Sequence, residues 1–165
     1  AAVAPSIVDC DSNGKDDICE ITMNPSLDGN GNGVLDVCEP TCGFSTYGVG
    51  ASPTNYIALS GAGSTSVGGT AQVISTGALG SVAYNMVTLA QATLPALGGI
   101  ILVDNSVVII AALTGVSGGT SAWSVPIPMN PALAGLNVFF QSGSPDPAQP
   151  AGWGLSNGLK LVICP

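Results

Sequence analysis

The chain has 165 residues, 46% of them hydrophobic, which is enough for one ordinary domain with its own core and a small additional segment. Ten acidic residues against two basic residues give a formal net charge of −8, and this balance excludes nucleic acid as a partner because the chain cannot neutralise phosphate groups. The sequence contains no histidine, the usual general base of acyl-transfer enzymes, and we expect no enzymatic activity.

Residues 1–8 form an apolar, uncharged arm ahead of the first acidic residue. Its β-branched residues and Pro5 do not suit a helix. We expect this arm either to fold back onto a sheet of its own chain or to add as a strand to the open edge of a neighbouring copy. The sequence begins with Ala1-Ala2-Val3 and not with methionine. This is expected of a mature protein whose signal peptide was cleaved after small residues.

A twelve-residue metal-binding pattern then occurs twice. Oxygen-bearing side chains occupy its first, third, fifth, ninth and twelfth positions, and glycine occupies the sixth, where the loop turns sharply. The two copies, 19 residues apart, are Asp9, Asp11, Asn13, Gly14, Asp17 and Glu20, followed by Asp28, Asn30, Asn32, Gly33, Asp36 and Glu39. The main-chain carbonyls of Lys15 and Val34, at the seventh positions, complete each predicted ligand set. The pattern predicts two Ca²⁺ ions, one in each loop.

Two other interpretations of these loops stay open. Mg²⁺ prefers near-ideal octahedral geometry and keeps several waters, so it fits the pattern less well than Ca²⁺. Aspartate, asparagine and glycine also cluster in turns that bond only their own backbone. A helix-opening calcium sensor is not expected, because Pro5 precedes the first loop and Asn24-Pro25 interrupts the segment between the loops.

A cysteine follows the ninth-position aspartate by two residues in both loops, Cys19 after Asp17 and Cys38 after Asp36. In this spacing the segment resembles the calcium loops of dockerins and of thrombospondin type 3 repeats. The resemblance covers the two loops and implies a structural role for calcium.

The five cysteines, Cys10, Cys19, Cys38, Cys42 and Cys164, match no usual zinc spacing, and we expect disulfides. Cys10 and Cys19, in one loop, form the first predicted pair, and Cys42 and Cys164 the second, which leaves Cys38 unpaired. A Cys19–Cys38 pair is the alternative that the likeness to thrombospondin repeats implies. Disulfides together with calcium indicate a secreted, extracellular protein.

From residue 43 onward the sequence shows short strands between glycine-rich turns. The predicted strands span residues 56–59, 71–75, 82–90, 99–103, 107–111, 120–126, 136–141 and 159–164. One helical turn is expected over residues 131–135, with Asn130 as its cap. We therefore predict a mainly β chain with three parts: the arm (1–8), the two calcium loops (9–42) and a β-sandwich (43–165).

Asp104-Asn105 separates two strands and predicts a tight hairpin. Both strands carry apolar residues consecutively, which indicates that both of their faces are covered, one by the second sheet and one by something else, such as another subunit.

The C-terminal half contains four distinctive motifs, which are Pro126-Ile127-Pro128, Asn130-Pro131-Ala132-Leu133-Ala134-Gly135-Leu136, Phe139-Phe140-Gln141 and Leu155-Ser156-Asn157-Gly158-Leu159-Lys160-Leu161. In these motifs it is similar to the terminal module of secreted multi-domain proteins of aquatic bacteria. The likeness implies an extracellular β-rich module and transfers no catalytic residue.

After residue 42 only Asp104, Asp146 and Lys160 carry charge, although about a quarter of the residues in an ordinary soluble domain are charged. A surface of this kind is expected to be buried in regular contacts or coated, for example by O-linked glycan. We therefore predict a calcium-stabilised structural protein that self-assembles into an extracellular fibre or coat.

The alternative function is that of a calcium-dependent adhesion or carbohydrate-binding module, for which Trp153 is the candidate residue to stack on a sugar ring. No membrane span is expected.

Overall fold

A computed structural model describes residues 8–28, 33–38, 42–50, 57–77, 80–104, 106, 108–149 and 151–165, with the side chains of residues 108–110 left out. The chain divides into two compact units, Ala1–Thr41 (unit 1) and Cys42–Pro165 (unit 2). Residues 1–7 of the predicted arm lie outside the described part, and Val8 is exposed.

Unit 1 contains one short helix, α1, at Asp17–Met23, and two 3-10 turns at Pro25–Leu27 and Asp36–Cys38. Asp16 caps α1 by accepting a hydrogen bond from the Ile18 amide at 3.0 Å. Aspartate is a favoured residue at this position because it satisfies one of the free amides of the first helical turn.

The cysteines of unit 1 do not pair as predicted. The disulfide joins Cys10 to Cys38, with 5.9 Å between their Cα atoms, and ties the first loop to the end of the second. The predicted Cys10–Cys19 pair and the alternative Cys19–Cys38 pair are both wrong. Cys19 lies on the exposed side of α1, while Asp17 and Glu20 are buried, and its thiol is free.

The described part of unit 2 consists of antiparallel strands, and the prediction of a mainly β chain is confirmed. They are β1 (Gly43–Tyr47), β2 (Ile57–Gly63), β3 (Thr70–Gly77), β4 (Val82–Thr88), β5 (Gln91–Ala96), β6 (Gly99–Val103), β7 (Val108–Gly115), β8 (Thr120–Pro126), β9 (Asn137–Pro145), β10 (Trp153–Leu155) and β11 (Gly158–Val162). A six-stranded sheet has the order β1-β11-β9-β4-β7, with β10 also paired to β9, while β2-β3-β8 form a three-stranded sheet and β5-β6 a two-stranded one.

The main core joins one face of the six-stranded sheet to the three-stranded sheet. Phe140 of β9 is 1% exposed and packs in one cluster with Leu59 of β2 and Val73 of β3. Trp123 of β8 meets the Phe140 ring edge-on, with 6.3 Å between ring centroids. Alternation along β4 turns Ala83, Asn85 and Val87 inward, as expected for a strand with period two.

The β5–β6 hairpin covers part of the opposite face of the six-stranded sheet, which we call the outer face. Ile101 and Val103 of β6 pack there with Phe139 and Leu155. The apolar run of β6 is thus covered by residues of its own unit. The Gln141 side chain of β9 fixes the hairpin, since its amide accepts from the Leu102 N–H at 2.8 Å and donates to the Ile100 carbonyl at 2.9 Å.

The predicted hairpin at Asp104-Asn105 is wrong. β6 pairs with β5 and β7 pairs with β4, so the chain passes from one sheet to another between the two apolar runs. Asp104 still forms a local turn, because its carboxylate accepts hydrogen bonds from the hydroxyl and the amide of Ser106 at 2.6 and 2.9 Å, and these bonds lower its pKa. Asn105 lies outside the described residues.

Two local predictions are confirmed. The Cys42–Cys164 disulfide joins the residue before β1 to the segment after β11, with 5.0 Å between Cα atoms across 122 residues of sequence. Asn130 caps a 3-10 turn at Pro131–Leu133 by accepting a hydrogen bond from the Ala132 amide at 3.1 Å.

In the described part of the chain, every helix is too short or too polar to cross a membrane.

Candidate metal centre

The first loop is wound by residues in the left-handed region of backbone space. Ser12 has φ of 61° and Gly14 has φ of 86°, and glycine adopts such values without a steric penalty. The winding points main-chain amides at the first-position carboxylate: Asn13 N–H donates to Asp9 Oδ1 at 3.0 Å and Gly14 N–H donates to Asp9 Oδ2 at 2.8 Å. The loop therefore closes around the side chain of Asp9.

Three predicted ligands of this loop converge. One carboxylate oxygen from each of Asp9, Asp11 and Asp17 lies within 4.8 Å of the other two. Asp17 is 5% exposed, and its Oδ1 accepts a hydrogen bond from the Cys10 amide at 3.1 Å. Like charges at this separation repel one another, so the arrangement suits a site that holds a cation.

Glu20, at the twelfth position, reaches back to the same loop and is 8% exposed. Both of its carboxylate oxygens lie 2.9 to 3.0 Å from Asn13 Nδ2, which also lies 2.9 Å from Asp11 Oδ2. The Asn13 amide thus donates to carboxylate oxygens of both Asp11 and Glu20 and draws Glu20 to the loop. Lys15 places its Nζ 3.8 Å from Glu20 Oε1, and its side chain is mostly exposed.

The second loop repeats the turn of the first. Gly33 has φ of 84°, and its amide donates to Asp28 Oδ2 at 2.8 Å, which matches the bond between Gly14 and Asp9. Asp36 begins a 3-10 turn at the ninth position, as Asp17 begins α1 at the ninth position of the first loop. Val34 is exposed, and the predicted ligands Asn30, Asn32 and Glu39 lie outside the described residues.

A cavity of about 270 Å³ in unit 1 is lined by residues of both loops. Asp11 and Glu20 of the first loop face it together with Asp36 of the second, and the floor includes Leu35, which is 2% exposed. Leu35 is the best buried apolar side chain among the described residues of this small unit. The two loops therefore share a small core and an acidic cavity.

The donor set suits a hard cation. The converging groups are carboxylate oxygens, which Ca²⁺ prefers and accepts in irregular geometry, whereas Mg²⁺ demands a regular octahedron. Cys10 and Cys38 also approach Asp17, but the disulfide between them accounts for that proximity and leaves no thiolate to bind a softer metal. The residues present thus fit calcium at the first loop.

The remaining sequence candidates lie in unit 2. Residues 115–119 read Gly-x-Ser-x-Gly, as around the serine of some hydrolases, but the chain has no histidine to activate that serine. This residue, Ser117, lies in the turn between β7 and β8 and exchanges main-chain hydrogen bonds with Thr120. Trp153 begins β10 and lines an apolar cleft of about 410 Å³ on the outer face of the six-stranded sheet, called here the outer cleft. Its lining consists of Tyr84, Met86, Leu97, Ile101, Gly143, Trp153 and Leu155.

Sequence reasoning missed the outer cleft as a feature. The signal was present in Gly143, a glycine inside a strand of larger residues, since such a glycine often marks the close approach of another group.

A scan against known protein families and searches of curated proteins and of solved structures found no match for the chain.

Proposed function

We propose that the protein is a secreted structural protein, stabilised by calcium, whose copies assemble into an extracellular fibre or coat. Calcium binding is supported by a turn that both loops share. In each loop a glycine in the left-handed region of backbone space donates its main-chain N–H to the first-position aspartate at 2.8 Å. A pair of unrelated turns would not be expected to share this bond, the 19-residue spacing and the ninth-position aspartate.

The residues that would hold the two ions are those of the repeated pattern. They are Asp9, Asp11, Asn13, Lys15, Asp17 and Glu20 in the first loop and Asp28, Asn30, Asn32, Val34, Asp36 and Glu39 in the second. Bound calcium would neutralise the clustered carboxylates and fix unit 1, so that metal binding adds to its folding free energy.

The surface chemistry of unit 2 supports assembly. Its three charged residues, Asp104, Asp146 and Lys160, provide little electrostatic repulsion between copies. Large apolar side chains stand exposed among its described residues, including Leu113 at 69% and Met129 at 86%. These exposed apolar side chains are available for contacts with other molecules, and two disulfides are typical of an extracellular protein.

Donation of residues 1–8 to a neighbouring copy is the proposed mode of assembly, with strand addition as one form of it. O-linked glycan on exposed serine and threonine would cover surface that remains outside the contacts. The alternative, a calcium-dependent adhesion or carbohydrate-binding module, relies on Trp153. It is less well supported, because the apolar lining of the outer cleft offers a sugar few hydrogen bonds.

Electron microscopy of the purified full chain tests this proposal. Samples in millimolar calcium and in excess chelator are compared at equal protein concentration. Regular fibres or sheets in calcium, and fewer in chelator, are the expected result. Dispersed single particles in both conditions, at concentrations up to the solubility limit, would contradict a structural role.

A further inference from the structure

The outer cleft is part of a regular row of side chains across four strands. On the outer face, Leu113 of β7 stands opposite Tyr84 of β4, Tyr84 opposite Gly143 of β9, and Gly143 opposite Leu155 of β10. Three members of this row are large and one has no side chain. The gap at Gly143 forms the floor of the cleft, and Leu97 and Ile101 of the β5–β6 region also line it.

The cleft suits an occupant that inserts side chains better than one that pairs its main chain with β6 as an added strand. A segment adding to β6 would need its free main-chain groups, but Gln141 already bonds Leu102 N–H and the Ile100 carbonyl, and the Tyr47 hydroxyl donates to the Leu102 carbonyl at 3.0 Å. What remains open is an uncharged apolar surface bordered by Leu113 and Leu97, which are 69% and 44% exposed. An occupant should therefore be apolar and uncharged, because a charged group would lose its hydration without gaining a partner.

The chain itself contains a segment with these properties, of which only the last residue, Val8, belongs to the described part of the structure. Residues 1–8 carry no charge and contain six aliphatic side chains, and they end directly before Asp9, where the acidic loop begins. Eight extended residues span roughly 26 Å, which is longer than a pocket of this volume and leaves room for two or more anchoring side chains.

We infer that the outer cleft is the docking site for residues 1–8 of a second copy, with Val3 and Ile7 as candidate anchors over Gly143. The inference rests on the proposed assembly and specifies its acceptor surface. The donor segment is the beginning of unit 1 and the acceptor belongs to unit 2, so the contact joins different surfaces of two copies. Such a contact does not close on itself and propagates into a filament when its rotation does not close a ring.

A glycine pair in the same sheet provides a matched test. In Gly143→Val the new side chain fills the floor, since its Cβ would lie 3.2 Å from the tip of Leu155 and 3.7 Å from the Trp153 ring. In Gly115→Val, at the end of β7, an added Cβ has nothing within 4 Å. We expect Gly143→Val to raise the protein concentration needed for assembly in calcium at least about tenfold, and Gly115→Val to leave it unchanged. Circular dichroism and thermal melting establish that both variants are folded.

A peptide titration tests the cleft even if Gly143→Val does not fold. The peptide Ala-Ala-Val-Ala-Pro-Ser-Ile-Val, corresponding to residues 1–8, is added to the full chain, and tryptophan emission is recorded. The change should persist in Trp123→Phe, vanish in Trp153→Phe, and be absent for a peptide carrying Val3→Asp and Ile7→Asp. The wild-type peptide should also inhibit assembly.

The outcomes separate this inference from the proposed function. If fibres form in calcium but Gly143→Val assembles like wild type and the peptide leaves Trp153 unchanged, the docking site is wrong and the assembly stands. If the full chain never assembles but the peptide shifts Trp153, the cleft binds the segment, whereas the structural role and the assignment to a second copy are both wrong. If deletion of residues 1–7 shifts Trp153 emission independently of protein concentration, the segment occupies the cleft of its own chain, and the assignment to a second copy is overturned.

Discussion

Asp16 and Asp17 are adjacent acids with different roles in unit 1. Asp16 caps α1 through the Ile18 amide, whereas Asp17 is buried and converges with Asp9 and Asp11. Substituting either residue by asparagine removes the same charge from nearly the same place. Of the two, only Asp17 belongs to the predicted ligand set.

This pair gives a direct test of the first loop. We expect Asp17→Asn to reduce the calcium stoichiometry measured by isothermal titration calorimetry from two ions to one, because it removes a converging carboxylate. Asp16→Asn should keep both ions and nearly all of the stability, since asparagine is an equally good helix cap. Equal calcium binding by wild type and Asp17→Asn would contradict the ligand assignment.

Tyr47 provides a pH-dependent contribution to unit 2. Burial raises the pKa of Tyr47 from 10.0 to about 12, and its hydroxyl donates to the Leu102 carbonyl. The neutral form is favoured in the folded state, so its stabilisation is fully present below pH 10 and is lost as the pH rises towards about 12.

The variant Tyr47→Phe isolates this effect. It should be less stable than wild type at neutral pH by about 1 kcal/mol for the lost hydrogen bond. Between pH 10 and about 12 the wild type should lose stability faster than the variant, as measured by urea unfolding at each pH. Parallel pH profiles for the two proteins would show that Tyr47 does not titrate in this way.

At the scale of single elements, α1 depends on the loop that precedes it. The helix has seven residues, which is too short to be stable alone in water. Its start coincides with the ninth-position ligand Asp17, whose amide donates to the Val8 carbonyl at 2.8 Å. Ion binding and helix formation should therefore be coupled.

Hydrogen exchange measures this coupling. On addition of a calcium chelator, amides of α1 should exchange at least about tenfold faster, while amides of β9 in unit 2 keep their protection. Restoring calcium should restore protection, and the same concentration of magnesium should restore less of it. Unchanged protection of α1 in chelator would indicate that unit 1 folds without metal.

The sequence predicted those elements whose pattern is local. β8 appears at Thr120–Pro126 as expected, because alternation and turn residues mark both of its ends. β5 was missed, since Gln91–Ala96 is largely exposed and contains Pro95. The Cys10–Cys38 pair was missed as well, because it depends on how two loops pack together, and spacing within one loop carries no information about that.

At the scale of the whole molecule, the Cys42–Cys164 disulfide closes unit 2 around its first and last strands. It spans 122 residues, so it removes much of the conformational entropy of the unfolded chain. The double variant Cys42→Ala/Cys164→Ala should lose about 3 to 5 kcal/mol of unfolding free energy in urea denaturation. Cys19→Ala is the matched control, because its thiol is exposed and free, and it should change stability by less than about 0.5 kcal/mol. Equal stability of the double variant and the control would contradict the role of the disulfide.

The same disulfide decides how unit 2 responds to pulling. Force applied to the chain on either side of residues 42 and 164 passes through two cysteine side chains and bypasses every strand between them. Stretching in this direction cannot lengthen unit 2 by unravelling its sheets unless a reductant is present. A fibre loaded in this way would be nearly inextensible at unit 2, and in unit 1 the Cys10–Cys38 disulfide bypasses most of the two loops in the same manner, so neither unit would lengthen much under tension until its disulfide is reduced.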